Sequence, residues 1–269
     1  MKKLKRLGAI LVATGLMASM ACTSAWAYEP DGYVTVSVEK FSLGQGYIFE
    51  PETVPFYEYD NGIDIVKRAV GEENVLVTES SFGNYIGGFV DQGGEVILPD
   101  CLSAVVDVAS LTGRAEENQL CEFDYTSESG FIFFVNDLSS SVSISEYSPA
   151  DGDVISLRYS IYGYGADVGC DNSSWGGSPS LTGNVNRNEA TRLIAEAKGI
   201  DIPDEKAVIT DLDSSQEEID FACESIRNKL TPEEEIPEED DIPADTGLAV
   251  CMVSPAVFGI CAILAKKRR

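Results

Sequence analysis

From Tyr33 to Glu39, Val34, Val36 and Val38 alternate with Thr35 and Ser37. This is the period of a strand with one face toward a core. Leu43-Gly44-Gln45-Gly46 supplies a turn, and Tyr47–Phe49 with Val54–Tyr57 reads as a returning strand interrupted at Pro51. Asp60-Asn61 then offers a cap for a short amphipathic helix through Ile63, Ile65, Val66, Ala69 and Val70, stopped by Gly71. Residues 75 to 128 have no dominant period, although Ser103–Ala115 fits a helix ending at Gly113. Phe131–Asn136 is an apolar run of strand length, and Val154, Ile155, Leu157, Tyr159 and Ile161 mark another strand after the Asp151-Gly152-Asp153 turn. Arg187–Lys198 and Gln216–Leu230 carry apolar residues at helical spacing, the second with Ser214 or Ser215 as its cap. Together these elements predict an α+β fold of strands, a helix, strands and then helices.

The two ends follow different rules. Lys2, Lys3, Lys5 and Arg6 precede an apolar run to about Met20, and Ala25 and Ala27 stand at signal-peptidase spacing, predicting a signal peptide over 1–27. A lipoprotein at Cys22 and an uncleaved N-terminal anchor are the alternatives. Leu248–Ala265 is uncharged over eighteen residues, about 27 Å as a helix, enough for a transmembrane helix. Lys266, Lys267, Arg268 and Arg269 follow and orient that span with its end in the cytoplasm. Ile242-Pro243-Ala244-Asp245-Thr246-Gly247 ahead of it resembles a sortase sorting signal with one extra residue between proline and threonine. Covalent attachment to peptidoglycan through Thr246, with cleavage before Gly247, and plain membrane retention by residues 247–269 are both open. Residues 231–246, acidic and proline-rich, form a self-repelling stalk. Every version places residues 28–246 on the extracellular face of the envelope.

Charge narrows the partners. All 45 acidic residues but only 11 of the 19 basic ones lie in residues 28–246, since the other eight belong to the ends, so this segment carries −34. Such a field repels phosphate backbones, and nucleic acid is not expected as a partner. The chain has no histidine. Without it or a Cys-x-x-Cys pair, neither a structural zinc site nor a Cys-His nucleophile is expected. Cys101, Cys121, Cys170 and Cys223 fall in the exported segment. An oxidising compartment favours disulfides, the most local connectivity pairing Cys101 with Cys121 and Cys170 with Cys223; four buried free thiols are the alternative.

Tyr33 to Tyr47, Gly130 with Val135-Asn136, Asp151–Ile155 and Tyr159–Asp167 resemble, in order, the opening strand and turn, the middle strand and the closing strand and glycine-rich loop of the DUF4430, or transcobalamin-C-terminal-like, family. The resemblance covers about residues 31–200. It implies a β-grasp-like small sheet with packed helices over 28–200, from which this chain departs by an insertion at about 75–125; the helical segment over 201–230 is read from residue spacing alone. It also implies kinship with corrinoid-binding β-domains and no established activity. Phe131-Ile132-Phe133-Phe134 replaces the family's tryptophan and tyrosine.

Tyr162, Tyr164, Asp167, Asn172 and Trp175 are interspersed with five glycines after the last strand. They form the candidate ligand loop: glycines permit close backbone approach, and flat aromatics offer stacking area. A purely structural loop would read the same way, as would Phe82, Tyr85 and Phe89 in the other glycine-rich segment. Asp211, Asp213, Glu217 and Glu218 fit either calcium or helix capping. No catalytic residue is singled out. The leading expectation is a surface-anchored, non-enzymatic binding or adhesion module for an extracellular partner, with no cofactor. Cobalamin capture is the second expectation, and a glycan hydrolase with an unidentified carboxylate pair the third.

Overall fold

The computed structural model describes residues 29–231 other than Phe82 and Asn184. The expected signal peptide, the expected stalk beyond Thr231, Thr246-Gly247 and the expected membrane tail lie outside the described residues. Among those described, no helix is long and apolar enough to cross a membrane. The described residues form a mixed α/β fold with two small sheets and five α-helices.

Strands β1 (Gly32–Glu39) and β2 (Tyr47–Phe56) form an antiparallel hairpin, followed by α1 (Gly62–Val70). Next come β3 (Val75–Thr78), β4 (Tyr85–Val90), a single helical turn α2 (Asp100–Ser103) and β5 (Gln119–Cys121). The chain returns through β6 (Gly130–Val135), β7 (Leu138–Ser139) and β8 (Val154–Ser160), and closes with α3 (Asn188–Glu196), α4 (Pro203–Thr210) and α5 (Gln216–Leu230). The main sheet has the order β2-β1-β8-β6-β7, with β1 and β8 parallel. Strands β3-β4-β5 make a separate antiparallel sheet within the predicted insertion.

Local chemistry explains the elements that sequence patterning located. Asn61 caps α1 by accepting from the amides of Ile63 and Asp64, while Asp64 accepts from the Asn61 amide. Ser215 and Glu218 make the same reciprocal box on α5. Pro51, expected to break the second strand, does not. It lies in an edge strand where two residues of β2, Glu50 and Pro51, answer the single Ser37 of β1 between Val36 and Val38, and a missing N–H is tolerated at such a bulge. The helix expected over Ser103–Ala115 is replaced by the turn α2 and one 3-10 turn at Val108–Ser110. Asp107 accepts from the Ala109 amide, and the Ser110 hydroxyl donates to the Asp107 carbonyl, so side chains compete with the helical backbone there.

The apolar face of the main sheet, with Val34, Val36, Val38, Ile155 and Leu157, packs on α1 and on Ile86 and Phe89 of β4. A second core joins α3, α4 and α5 through Ala190, Leu193, Ile209, Ile219, Cys223 and Ile226. That core runs across residue 200 and joins α4 and α5, which occupy 201–230, to the preceding helix. A third core, under the insertion, gathers Leu43, Leu102, Leu120, Tyr125 and Tyr159.

The opposite face of the main sheet departs from the alternation rule. Thr35, Ser37, Glu39, Ser156, Arg158 and Ser160 should be solvated, yet all are buried. Helix α3 packs against β1, β2 and β8. A polar layer is thereby buried within the molecule.

Candidate functional site

The segment Gly163–Arg187 between β8 and α3 presents an aromatic tip outward and a wall of the polar layer inward. Its start is a tight coil: Gly163, Tyr164 and Gly165 all have positive φ. A Cβ on Gly163 would come within 2.8 Å of the Ala166 Cβ and 2.9 Å of the Ser178 Cβ, which is why the chain uses glycine there. Asp167 holds this coil to the sheet. Its carboxylate accepts from the Ser160 hydroxyl at 2.5 Å and from the Ile161 amide at 2.9 Å, while burial pushes its pKa up against those bonds.

Two of the five candidate ligand residues are therefore structural by their partners. Asp167 is 0 % exposed, so it cannot meet a ligand in this conformation. Asn172 donates its amide to the carbonyls of Gly163, at 2.8 Å, and Tyr164, and its own carbonyl accepts from the Trp175 and Gly177 amides at 3.0 Å each. It pins the loop rather than facing outward. Tyr162 packs partly buried against the third core. Tyr164 and Trp175 remain, 67 % and 89 % exposed on a backbone that the other three hold in place.

In the other glycine-rich segment, Phe89 is core, in edge contact with Phe131 at 4.9 Å between ring centres. Tyr85 donates to Glu122 at 2.7 Å. Phe82 lies outside the described residues. Asp213 accepts from the amides of Asp100 and Cys101, at 2.5 and 2.9 Å, and Glu218 serves in its capping box, which favours the capping reading of those acids. Among the described residues no group of three or more acids or cysteines is placed to hold a metal.

Sequence reasoning missed the polar layer itself. Glu39 and Arg158 are paired in register across the parallel strands β1 and β8. Arg158 Nε lies 3.0 Å from the Ser156 hydroxyl and 3.6 Å from the Glu39 carboxylate. Its Nη1 donates to the Val168 carbonyl at 3.2 Å, and its Nη2 is ion-paired with Asp137. Its guanidinium stacks 4.0 Å from the centre of the Phe134 ring. Burial pushes the Glu39 pKa up, opposed by Arg158 and by the Ser37 hydroxyl. Beside this pair opens a cleft of about 240 Å³, lined among others by Phe134, Asp137, Ser139, Thr182, Asn186 and Arg187. One signal in the sequence pointed to it: with only 11 basic residues in 28–246, an arginine inside a strand as apolar as Val154–Ile161 required a buried partner. A larger cleft of about 530 Å³ between α4 and α5 has acids around the 74 %-exposed Phe221. Its Glu205 is tied to Lys229 at 2.7 Å and to Ser225 at 2.5 Å.

All four described cysteines are free thiols, Cys170 and Cys223 buried but Cys101 and Cys121 only half-buried. Burial and the neighbouring Asp213 push the Cys101 thiol up to about 12, and burial pushes Cys223 up to about 11. Thiolate is the reactive form, so alkylation of Cys101 at pH 8 is expected to run on the order of a thousandfold slower than for a free cysteine. Mass spectrometry after timed iodoacetamide treatment measures this. Unfolding residues 28–246 without reductant should expose four reactive thiols; finding none would establish disulfides instead.

No protein-family model matches the chain, and no curated protein matches it significantly.

Proposed function

We propose that residues 28–246 form a non-catalytic binding module displayed on the outer face of a cell envelope, with the Tyr164–Trp175 loop as its contact surface. The observation that carries this reading is Trp175, 89 % exposed on a loop whose backbone is closed by Asn172 and anchored by the buried Asp167. Holding a large aromatic in water on a pre-ordered loop forgoes the gain of burying it, and a partner recovers that gain at little further entropy cost. Rigid aromatics of this kind dominate binding surfaces.

The resemblance to DUF4430 and the strand order β2-β1-β8-β6-β7, with parallel central strands and α1 after β2, support a β-grasp-like scaffold for this module. The signal and tail motifs support surface display, by sortase-mediated attachment at Thr246 or by membrane retention. A non-catalytic role is supported at the polar layer, where Arg158 engages both Glu39 and Asp137. Corrinoid capture rests on the resemblance alone, and the polar cleft of about 240 Å³ lies below the usual range for drug-sized ligands.

After cleavage at Ala27, Trp175 is the single tryptophan of the mature chain, because the other is Trp26. Its emission therefore reports directly on the loop. Titration of the mature chain with soluble peptidoglycan fragments and, separately, with cobalamin is expected to move that emission for the fragments. Trp175→Ala with Tyr164→Ala should lower retention on immobilised peptidoglycan about tenfold or more. Unchanged retention of the double variant would remove the loop from the contact surface, and a response to cobalamin alone would restore the corrinoid reading.

A further inference from the structure

Arg187 is 5 % exposed, and no carboxylate lies within 4 Å of its guanidinium among the described residues. Two carbonyls at the C-terminal end of α4 hold one edge of the group: Nε donates to Ile209 at 3.0 Å, and Nη2 donates to Asp211 at 2.9 Å. Those carbonyls carry the partial negative charge of a helix end and orient the cation, but they do not neutralise it. A guanidinium has five N–H groups. Two are used here. The end-on edge, formed by Nη1 and the second Nη2 hydrogen, has no hydrogen-bond partner among the described residues.

Arg187 lines both the 240 Å³ cleft and the narrower crevice behind it, so the unpaired edge belongs to a residue that borders open space. A buried cation is ordinarily paired, because desolvation without a counter-ion costs several kcal/mol. Its nearest acids are already engaged. Asp137 is ion-paired with Arg158 and accepts the Arg187 backbone amide at 3.3 Å, and Glu39 faces Arg158 and the Ser37 hydroxyl.

We propose that this cleft is a carboxylate-binding site, in which the free edge of Arg187 takes both oxygens of a small organic acid or of a peptide's C-terminal carboxylate. A planar two-oxygen anion matches the end-on guanidinium edge, which is the geometry of the strongest charge-assisted hydrogen bonds. Thr182 and Asn186, which also line the cleft, supply further polar groups. Phe134 and Val185 give the acid's carbon atoms an apolar wall. The site is separate from the aromatic tip and stands whether or not that loop binds a partner.

The test uses the full chain in a non-ionic detergent, with acetate, N-acetylglycine and N-acetylglycinamide as probes, read by calorimetry and by thermal unfolding. N-acetylglycine is expected to bind saturably and to raise Tm, while the uncharged amide does neither. A tenfold preference for N-acetylglycine over acetate identifies a peptide terminus, and equal affinities identify a small acid. Arg187→Lys keeps the charge and loses the fork, and it should weaken N-acetylglycine at least about tenfold. Thr182→Val, in the cleft lining, should weaken it about threefold without changing Tm in the absence of ligand. Equal binding of acid and amide would overturn the proposal. So would unchanged affinity in Arg187→Lys, or no saturation up to about 10 mM, which is weaker than a bidentate charged contact of this kind provides.

Discussion

Replacing Asp91 with alanine is expected to lower the unfolding free energy by about 3 to 5 kcal/mol, among the largest effects of any single substitution in this chain. Asp91 follows β4, in the insertion, and its carboxylate receives Lys40 Nζ at 2.6 Å on one oxygen and the Arg114 guanidinium on the other. Lys40 comes from the end of β1, so one buried carboxylate ties the insertion to the main sheet. All three side chains are less than a tenth exposed. Alanine would leave two buried cations without a counter-ion, and desolvation that Asp91 offsets would appear in full. Urea unfolding followed by far-ultraviolet circular dichroism measures the loss. A change below about 1 kcal/mol would mean that the triad is no stronger than a surface ion pair.

The same triad sets a pH dependence. Burial raises the Asp91 pKa, but the hydrogen bonds from Lys40 and Arg114 outweigh it, and the net direction is downward. A carboxylate whose folded pKa lies below its unfolded value contributes stability that is complete above the unfolded value and lost as pH falls through the folded one. The gap between wild type and Asp91→Asn should accordingly be constant near neutrality and close below about pH 4. A gap that instead widened on acidification would contradict the assigned sign.

Tyr159→Ala is expected to cost about 3 to 5 kcal/mol, the range for emptying a large aromatic site in a packed core. Tyr159 is fully buried in β8, 5.0 Å from Phe131 and 6.5 Å from Tyr125 between ring centres. Its hydroxyl donates toward the carbonyls of Cys121 at 3.0 Å and Asp124 at 2.8 Å. Tyr159→Phe keeps the ring and removes the donor, leaving two carbonyls of the β5–β6 connection without it, and should cost about 1 to 3 kcal/mol. The difference between the two variants separates packing from hydrogen bonding. Equal losses would show that the hydroxyl, not the ring, holds this connection.

How far the fold could be read in advance depended on how local each cause was. The α1 and α5 boundaries follow from Asn61 and Ser215, whose side chains bond to amides two or three residues away. Strand β1 followed from valine alternation, and β8 from its β-branched and aromatic content. Helix α4 went unseen because its apolar residues, Val208 and Ile209, stand side by side without a period. Strands β3, β4 and β5 were equally hidden. Gly87 and Gly88 interrupt the β4 pattern, and its pairing with β5 joins Phe89 to Leu120 across thirty-one positions of chain.

For the candidate sites the division is sharper. Chain order and residue type were enough to single out the loop of Tyr162, Tyr164, Asp167, Asn172 and Trp175, because glycine and aromatic enrichment is a property of composition. Which of them face outward was not. Exposure of Trp175 and burial of Asp167 depend on how the coil closes against Ser160 and Ile161. Sequence by itself also determined the −34 charge of residues 28–246 and the apolar faces of β1 and β8. Only the tertiary structure decided that the polar faces of those strands are buried too. A strand's alternation says what each face would prefer against water, and carries no information about a helix arriving from 150 residues further along. When α3 covers that face, Glu39, Arg158 and Arg187 lose their solvent, and what read as a hydrated surface becomes a charged interior bordered by a cleft.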